Sequence, residues 1–421
     1  MVGVQLPEAT ASATAVQMAE LAELARTAGA EVVGSEVQRR GQPEPALFIG
    51  RGKVEELKSL KSEDAYDLLI CNEDLSPRQQ RNLERELRAR VPDRTEVILE
   101  IFAQHARTRE GRLQVESARL HHLLPRLIGA YAYDRQVGGQ RGGQRGGLGA
   151  RGGPGEQQIE VERRRIRKRI RDLEREIEQV RSQRGQQRSG RRRSPRPTVA
   201  IVGYTNAGKS TLLNALTGAG VGAGQQVFAT LDPTTRRLRL GRGREVLMTD
   251  TVGFIQKLPT SLVAAFRATL EEVTHADLVL QVVDVSSPSA AAQAATVEEV
   301  LGQLEAAGKP RVVALNKVDL LGPAARRRTL QRLGELFPGA VPVSALQRSG
   351  LGGLQEALER ASRPEAVRVE LLVPYGREKV LAELRQLGGL ERTEYAEGGT
   401  RAWGWAPRQA LHRFEPYRRG G

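Results

Sequence analysis

At 421 residues with a formal net charge of +15, the chain is long enough for about two to four domains with separate cores, and its charge points to a polyanionic partner. Its single cysteine excludes an internal disulfide and fits a reducing compartment. No stretch approaches the roughly 18 apolar residues that span a bilayer, and the N-terminus lacks the basic-then-apolar order of a secretory signal, so a soluble cytoplasmic protein is expected, peripheral at most to a membrane. A monomer is expected as well, although no feature of the sequence fixes the oligomeric state.

Residues 1–111 read as an N-terminal α/β domain, because short apolar runs alternate with helical periods. A helix is expected near 13–28, with strands near 31–37, 46–49, 66–72 and 96–101; Cys71 falls in the third of these as a buried strand cysteine. Ser76 before Pro77 is a helix start, a capping hydroxyl followed by proline in the first turn, and Leu83 and Leu87 mark the buried side. Gly50-Arg-Gly-Lys53 resembles a phosphate turn, yet no other part of a nucleotide motif accompanies it. A glycine turn with a solvated basic tip is expected there.

Residues 112–190 read as an antiparallel helical hairpin. Leu113, Leu120, Leu124 and Leu127 in one arm, and Ile159, Ile166, Ile170, Leu173, Ile177 and Val180 in the other, alternate steps of seven, four and three, giving two narrow apolar seams that should pair. Between them the Gly/Arg-rich stretch 135–155 carries Arg135, Arg141, Arg145 and Arg151 and no acidic residue. Such a loop cannot bury enough to fold alone; it is either a solvated linker or an element that neutralises RNA phosphates. Residues 112–196 hold 22 basic against 9 acidic side chains, an excess of 13, so most of the net charge is local. A basic linker, 191–197, ends the segment.

Residues 198–364 alternate β and α as a mainly parallel sheet requires. After the apolar run 198–202 come Gly203, Tyr204, Thr205, Asn206, Ala207, Gly208, Lys209, Ser210 and Thr211, a complete phosphate loop. Backbone amides from Asn206 to Ser210 should grip the phosphates at a helix N-terminus, Lys209 should add charge across β and γ, and Ser210 should ligate Mg2+. The polar segment Phe228, Ala229, Thr230, Leu231, Asp232 to Arg236 could close over the γ-phosphate; Thr230 is the expected second magnesium hydroxyl, with Thr234 and Thr235 as rivals. Asp250, Thr251, Val252 and Gly253 follow another apolar run, so that Asp250 can hold magnesium through water and the Gly253 amide can reach the γ-phosphate.

Asn316, Lys317, Val318 and Asp319 follow the apolar run 311–315. The Asp319 carboxylate can accept from N1–H and the 2-amino group of guanine, whereas adenine offers neither donor. Asn316 can fix the loop and reach N7, the Lys317 stem can lie over the base, and Ser344, Ala345 and Leu346 can offer amides to O6. Four motifs in order, each at a strand end, point to a phosphate-loop GTPase domain that binds GTP and GDP.

Residues 365–421 read as a small C-terminal α+β domain of ferredoxin-like type, with a strand at 367–371, a helix at 377–387, strands at 390–396 and 400–405 and a helix near 407–414. Trp403 and Trp405 share one strand face and are expected in its core rather than as base-stacking groups.

The segments 228–236 and 250–254, together with 50–57 (Gly-Arg-Gly-Lys-Val-Glu-Glu-Leu) and 107–120 (Arg-Thr-Arg-Glu-Gly-Arg-Leu-Gln-Val-Glu-Ser-Ala-Arg-Leu), resemble the HflX family of translational GTPases within the Obg–HflX group, across nearly the whole chain. That resemblance implies binding to the large ribosomal subunit near the peptidyl-transferase centre, with the hairpin loop entering ribosomal RNA, and splitting or rescue of ribosomes. A ribosome-assembly or RNA-modification GTPase, or a nucleotide-gated RNA-binding scaffold with negligible turnover, are the alternatives. Where many GTPases place a water-orienting glutamine, this chain has Phe254, which can neither donate nor accept a hydrogen bond, so slow intrinsic hydrolysis is expected.

Overall fold

The computed structural model describes residues 1–63, 65–138, 154–191, 196–218, 228, 233–241, 245–256, 267–362, 366–387, 389–407 and 410–418. The chain divides into two compact units: one comprises Met1–Arg184 with Gly224–Pro233 and Val252–Glu271, the other Gly185–Ala223 with Thr234–Thr251 and Glu272–Gly421.

In the first unit, β1 (Val2–Gln5) pairs in parallel with β2 (Glu36–Arg39), and single parallel bridges join Val2 to Cys71 and Cys71 to Asp93. Helix α1 (Ala11–Thr27) packs on β1, while the core between these lanes and helices α2 (Arg51–Ser62) and α3 (Pro77–Leu87) includes Val2, Ile49, Val54, Leu83 and Val91. Cys71 is fully buried there as a free thiol, its pKa pushed up by loss of hydration. The α3 start forms as its residues dictate: Ser76 and Gln79 make a reciprocal capping box with Pro77 between them, and Leu83 and Leu87 are buried.

All four expected strands differ. Residues 96–101 lie inside a helix, α4 (Arg94–His105), because the Asp93 side chain accepts from the Glu96 amide at 2.9 Å and caps a first turn; Val97, Ile98, Leu99, Ile101 and Phe102 are then buried around the helix. Residues 46–49 form a turn closed by paired Glu44 and Phe48 backbone bonds, with the Glu44 carboxylate accepting from the Ala46 amide at 2.8 Å. Of 31–37 only Glu36 and Val37 enter a strand. The lane 66–72 is reduced to bridges at Leu68 and Cys71.

Asp93 also receives the Arg126 guanidinium, which donates to Gln80 Oε1 at 2.7 Å as well. His122 Nε2 stands 3.5 Å from Asp93 and 3.9 Å from Glu96, and burial holds its pKa down at about 4. The Arg126 guanidinium thus supplies the positive charge among these acids.

Helices α5 (Arg109–Gly138) and α6 (Pro154–Arg191) are the hairpin arms. Arg109 pairs with Glu176 at 3.1 Å and Glu116 with Arg169 at 2.8 Å, so seven residues forward on one arm match seven backward on the other. Leu113, Leu173 and Ile177 are buried at the seam with Leu120 packed against them. Arg135 belongs to α5, whose helix runs past the expected start of the loop; Arg141, Arg145 and Arg151 lie outside the described residues.

The second unit carries a six-stranded sheet in the order β4-β5-β3-β6-β7-β8, formed by β3 (Thr198–Gly203), β4 (Thr234–Arg239), β5 (Glu245–Asp250), β6 (Leu278–Asp284), β7 (Arg311–Asn316) and β8 (Val341–Pro342). All neighbours are parallel except β4 against β5. Central strands covered on both faces read as unbroken apolar runs, and Val199 to Val202 are almost wholly inaccessible. Because the strands are parallel, their C-terminal ends share one edge, where such sheets gather ligands.

In the same unit, β9 (Ala366–Val373), β10 (Leu390–Ala396) and β11 (Gly399–Pro407) make an antiparallel sheet in the order β10-β11-β9, and an isolated antiparallel bridge joins Leu371 to Arg418. The helix Glu378–Gln386 covers one face, burying Val369, Leu371, Ala402, Ala406 and Leu384. Trp403 and Trp405 project from the opposite face and are not core, a correction of the sequence expectation. Trp405 is 43% exposed and donates to Glu391 at 2.6 Å, while the Arg392 and Arg401 guanidinia sit 5.4 and 5.6 Å from the Trp403 ring. Among the described residues no helix is long and apolar enough to cross a membrane.

Candidate functional site

The site assembles at the C-terminal edge of the six-stranded sheet, where β3 runs into the loop 203–208 and helix α7 (Lys209–Thr217). A helix start leaves its first amides without intrahelical partners, and here Gly208 occupies the cap with no side chain bonded to them. Gly208 is left-handed (φ 91°), and a Cβ on it would lie 2.3 Å from Asn316 Nδ2. Asn206 is also left-handed, at φ 59°, so the loop curls its amides inward.

Lys209 is buried, donating from Nζ to the carbonyls of Tyr204 at 2.9 Å and Gly203 at 3.2 Å. Burial lowers its pKa to about 8, opposed by the charge of Asp250. Ser210 Oγ donates to Asp250 Oδ2 at 2.6 Å, so the two groups singled out for a cation are already adjacent, from the starts of α7 and the end of β5. A hydroxyl beside a carboxylate is a hard-oxygen donor set of the kind magnesium takes. Thr251 Oγ1 donates to the Ile201 carbonyl at 2.6 Å, fixing the exit of β5 to β3.

Of the rival threonines, Thr235 is engaged elsewhere: its hydroxyl lies 3.0 Å from that of Thr249 across β4 and β5, and Thr234 is the register partner of Asp250. Ala229, Thr230, Leu231 and Asp232 lie outside the described residues. Phe228 is buried in the first unit, its ring edge-on to Phe102 with centroids 4.6 Å apart. That contact could not be read from sequence, since nothing marks two phenylalanines 126 positions apart as neighbours. Val252, Gly253 and Phe254 belong to the same unit, and Phe254 is buried at 1% exposure.

At the end of β7, Asn316 ties two loops together: Nδ2 donates to the Ala207 carbonyl at 2.8 Å, and Oδ1 accepts from the Ala345 amide at 3.0 Å. Asp319 Oδ1 is buried with no hydrogen-bond partner among the described residues. A buried carboxylate oxygen left so is costly unless a donor arrives, and guanine presents two. The segment 344–346 departs from expectation. The Ser344 amide donates to the Ser349 carbonyl at 3.0 Å and the Ala345 amide to Asn316, so neither is free for O6; only the Leu346 amide, on a residue 78% exposed, makes no hydrogen bond among the described residues. The paired Ser344 and Ser349 backbone bonds and the Asn316 side chain take up these two amides.

Three sequence families match in succession: GTP-binding GTPase N-terminal over residues 15–103, GTP-binding GTPase middle region over 105–191, and 50S ribosome-binding GTPase over 198–317. A GTPase HflX from Caldanaerobacter subterraneus is 46% identical over 382 residues, covering 90% of this chain and 85% of that protein. The chain belongs to the HflX family of GTPases. The GTPase HflX of Escherichia coli K12 is 39% identical over 382 residues, covering 90% of this chain and 87% of that protein. A crystal structure of a GTP-binding protein from Sulfolobus solfataricus in complex with GDP is 25% identical and covers 86% of this chain and 97% of that one, with a TM-score of 0.45.

As an HflX-family GTPase, this chain hydrolyses GTP. The close approach of Asn316 makes Gly208 a stringent position for it. Gly208→Ala should displace the Asn316 amide, lower GTP and GDP affinity about a hundredfold and destabilise the fold by about 1–3 kcal/mol. Calorimetric titration and a urea melt would check both, and near-parental affinity would show that the contact tolerates a methyl group.

Proposed function

We propose that the chain is a magnesium-dependent GTPase that binds the large ribosomal subunit and its ribosomal RNA in the GTP state, splits or rescues ribosomes, and leaves after hydrolysis. The observation that carries this reading is the 50S ribosome-binding GTPase match over residues 198–317, joined to a hairpin region whose 22 basic side chains outnumber 9 acidic ones. The RNA contacts fall to Arg135, Arg141, Arg145 and Arg151. A glycine-spaced arginine loop approaches crowded phosphates closely, and binding through it should weaken steeply with salt.

Within the site, the amides from Asn206 to Ser210 and the Lys209 ammonium hold the phosphates, and the Gly253 amide reaches for the γ-phosphate. Ser210 and Thr230 supply hydroxyls to magnesium, with Asp250 acting through water; the 2.6 Å Ser210–Asp250 contact supports that donor set. A magnesium ion held by these residues would supply positive charge against the negative charge that develops in transfer. Asp319 reads the guanine edge, with Asn316 fixing the loop beneath it. Phe254 cannot orient water, so that group comes from the ribosomal particle or from the segment 228–236 ordered upon it.

Two measurements test the proposal. Large subunits should raise turnover by about a hundredfold or more, an effect of the size that one supplied catalytic group gives; equal turnover with and without them sinks it. On a sucrose gradient, GTP or a non-hydrolysable analogue should convert whole ribosomes to subunits and GDP should not. Accumulation with immature particles would favour an assembly role instead, and equal binding in every nucleotide state would leave a scaffold.

A further inference from the structure

Two parallel strands frame the base-reading segment, and they end side by side. Asp284 closes β6, Asn316 closes β7, and the two are register partners. Just beyond, the Val285 amide donates to the Asn316 carbonyl at 3.0 Å, so the loops that follow leave the sheet from one fixed point. The Asp284 carboxylate divides its oxygens between them. Oδ1 accepts from the Ser286 amide at 2.9 Å and from its hydroxyl at 2.5 Å, which locks the carboxylate in a tight turn. Oδ2 lies 2.7 Å from Lys317 Nζ, and the side chains are only 15% and 24% exposed.

Lys317 itself sits at φ 67°, a left-handed backbone that residues with side chains rarely adopt. A long lysine at such a turn has several staggered paths, and the ion pair selects one. Its neighbours on the segment have other tasks: Asn316 is spent on the loops, and Asp319 points a carboxylate oxygen with no partner among the described residues.

We propose that Asp284 is a positioning residue of the guanine site, whose Oδ2 holds the Lys317 ammonium so that the four-carbon stem stays in place as a fixed wall for the purine ring. This rests on the reading of 316–319 as the base site. The wall does not distinguish GTP from GDP, since both present the same base, and it lies apart from the phosphate chemistry. Asp284 therefore acts on affinity and not on the hydrolytic step.

Two substitutions separate the ion pair from the turn. Asp284→Asn keeps one acceptor for Ser286 but puts a neutral amide toward Lys317, whereas Asp284→Glu keeps the charge and alters the turn. In calorimetric titrations of the full chain with GDP and with GTP in magnesium, Asp284→Asn should raise both Kd values about tenfold, the size of one partly shielded ion pair, with ribosome-stimulated kcat within twofold. Asp284→Glu should stay within about threefold of the parent. In a Lys317→Met background, which is itself weakened, Asp284→Asn should add less than twofold, because it acts only through that lysine. The proposal is overturned if Asp284→Glu weakens binding as much as Asp284→Asn, or if the Asp284 and Lys317 effects multiply. An unaltered Kd in Lys317→Met would remove the base-site reading itself, whereas weakening there with none in Asp284→Asn removes only the role of Asp284. If Asp284→Asn does not fold, the Glu variant and Lys317→Met still decide: binding lost in the former and kept in the latter overturns the proposal.

Discussion

Replacing Asp319 with asparagine should turn a guanine site into a xanthine site. In the proposed role the carboxylate would accept twice, from N1–H and from the exocyclic amine, and its Oδ1 has no competing donor among the described residues. An asparagine carbonyl can still accept from N1–H, but its NH2 group then faces the guanine amine, donor against donor in a buried place. Sites built to satisfy particular donors reject mismatched bases strongly, so GTP affinity should fall by roughly a hundredfold or more. Xanthosine triphosphate carries a carbonyl where guanine has the amine, and its affinity should rise by about the same factor. Competition of the two nucleotides for the variant measures the exchange directly. If both weaken together, Asp319 shapes the loop and does not read the base.

Lys209→Ala should reduce GTP turnover by about a thousandfold, since in the proposed role it removes a charge that would meet the phosphates where hydrolysis builds more of it. Ribosome splitting by that variant at the parental rate would break the link between nucleotide and function. The same residue predicts a pH dependence. Burial holds the Lys209 pKa down at about 8 without nucleotide, and a polyphosphate beside it restores the charged form. Below about pH 8 the ammonium is already present, so affinity should be flat. Above that, binding takes up a proton and affinity should fall by up to tenfold per pH unit. Stability of the nucleotide-free protein moves the other way. An unfolded lysine titrates near 10.4, so between about 8 and 10.4 the unfolded chain holds more protons and the fold gains stability as pH rises. Both trends should vanish in Lys209→Ala, and their persistence would assign them to another group.

Much of the site was legible because it is written in local chemistry. Phosphate loops need glycine where the backbone turns left-handed, as at Gly208, and a lysine and serine at fixed offsets; such requirements hold whatever surrounds them. The expectation for Asp319 rests on similar ground, the donors on one base edge. The capping box at Ser76 and Gln79 belongs to this class, being complete within four residues. Other pieces depended on partners far along the chain. Asp284 carries no motif signal, and it joins the site only because β6 and β7 are parallel neighbours that end together. The occupation of the Ala345 amide by Asn316 likewise requires knowing that two loops meet at one sheet edge.

The sequence by itself determined the order of the motifs that follow β3, β5 and β7, the antiparallel arms with their charged stretch, and the alternation that makes a parallel sheet, because each is set by spacing within a few residues or by a period of two or 3.6. Tertiary structure alone decided which faces are buried. Residues 96–101 look like a strand by composition, yet the Asp93 cap and burial on several sides make them helical. Trp403 and Trp405 share a face as their alternation requires, but the helix Glu378–Gln386 packs on the other one, where Ala402 and Ala406 leave room for it. Alternation fixes which residues point together; only the packing partner fixes toward what.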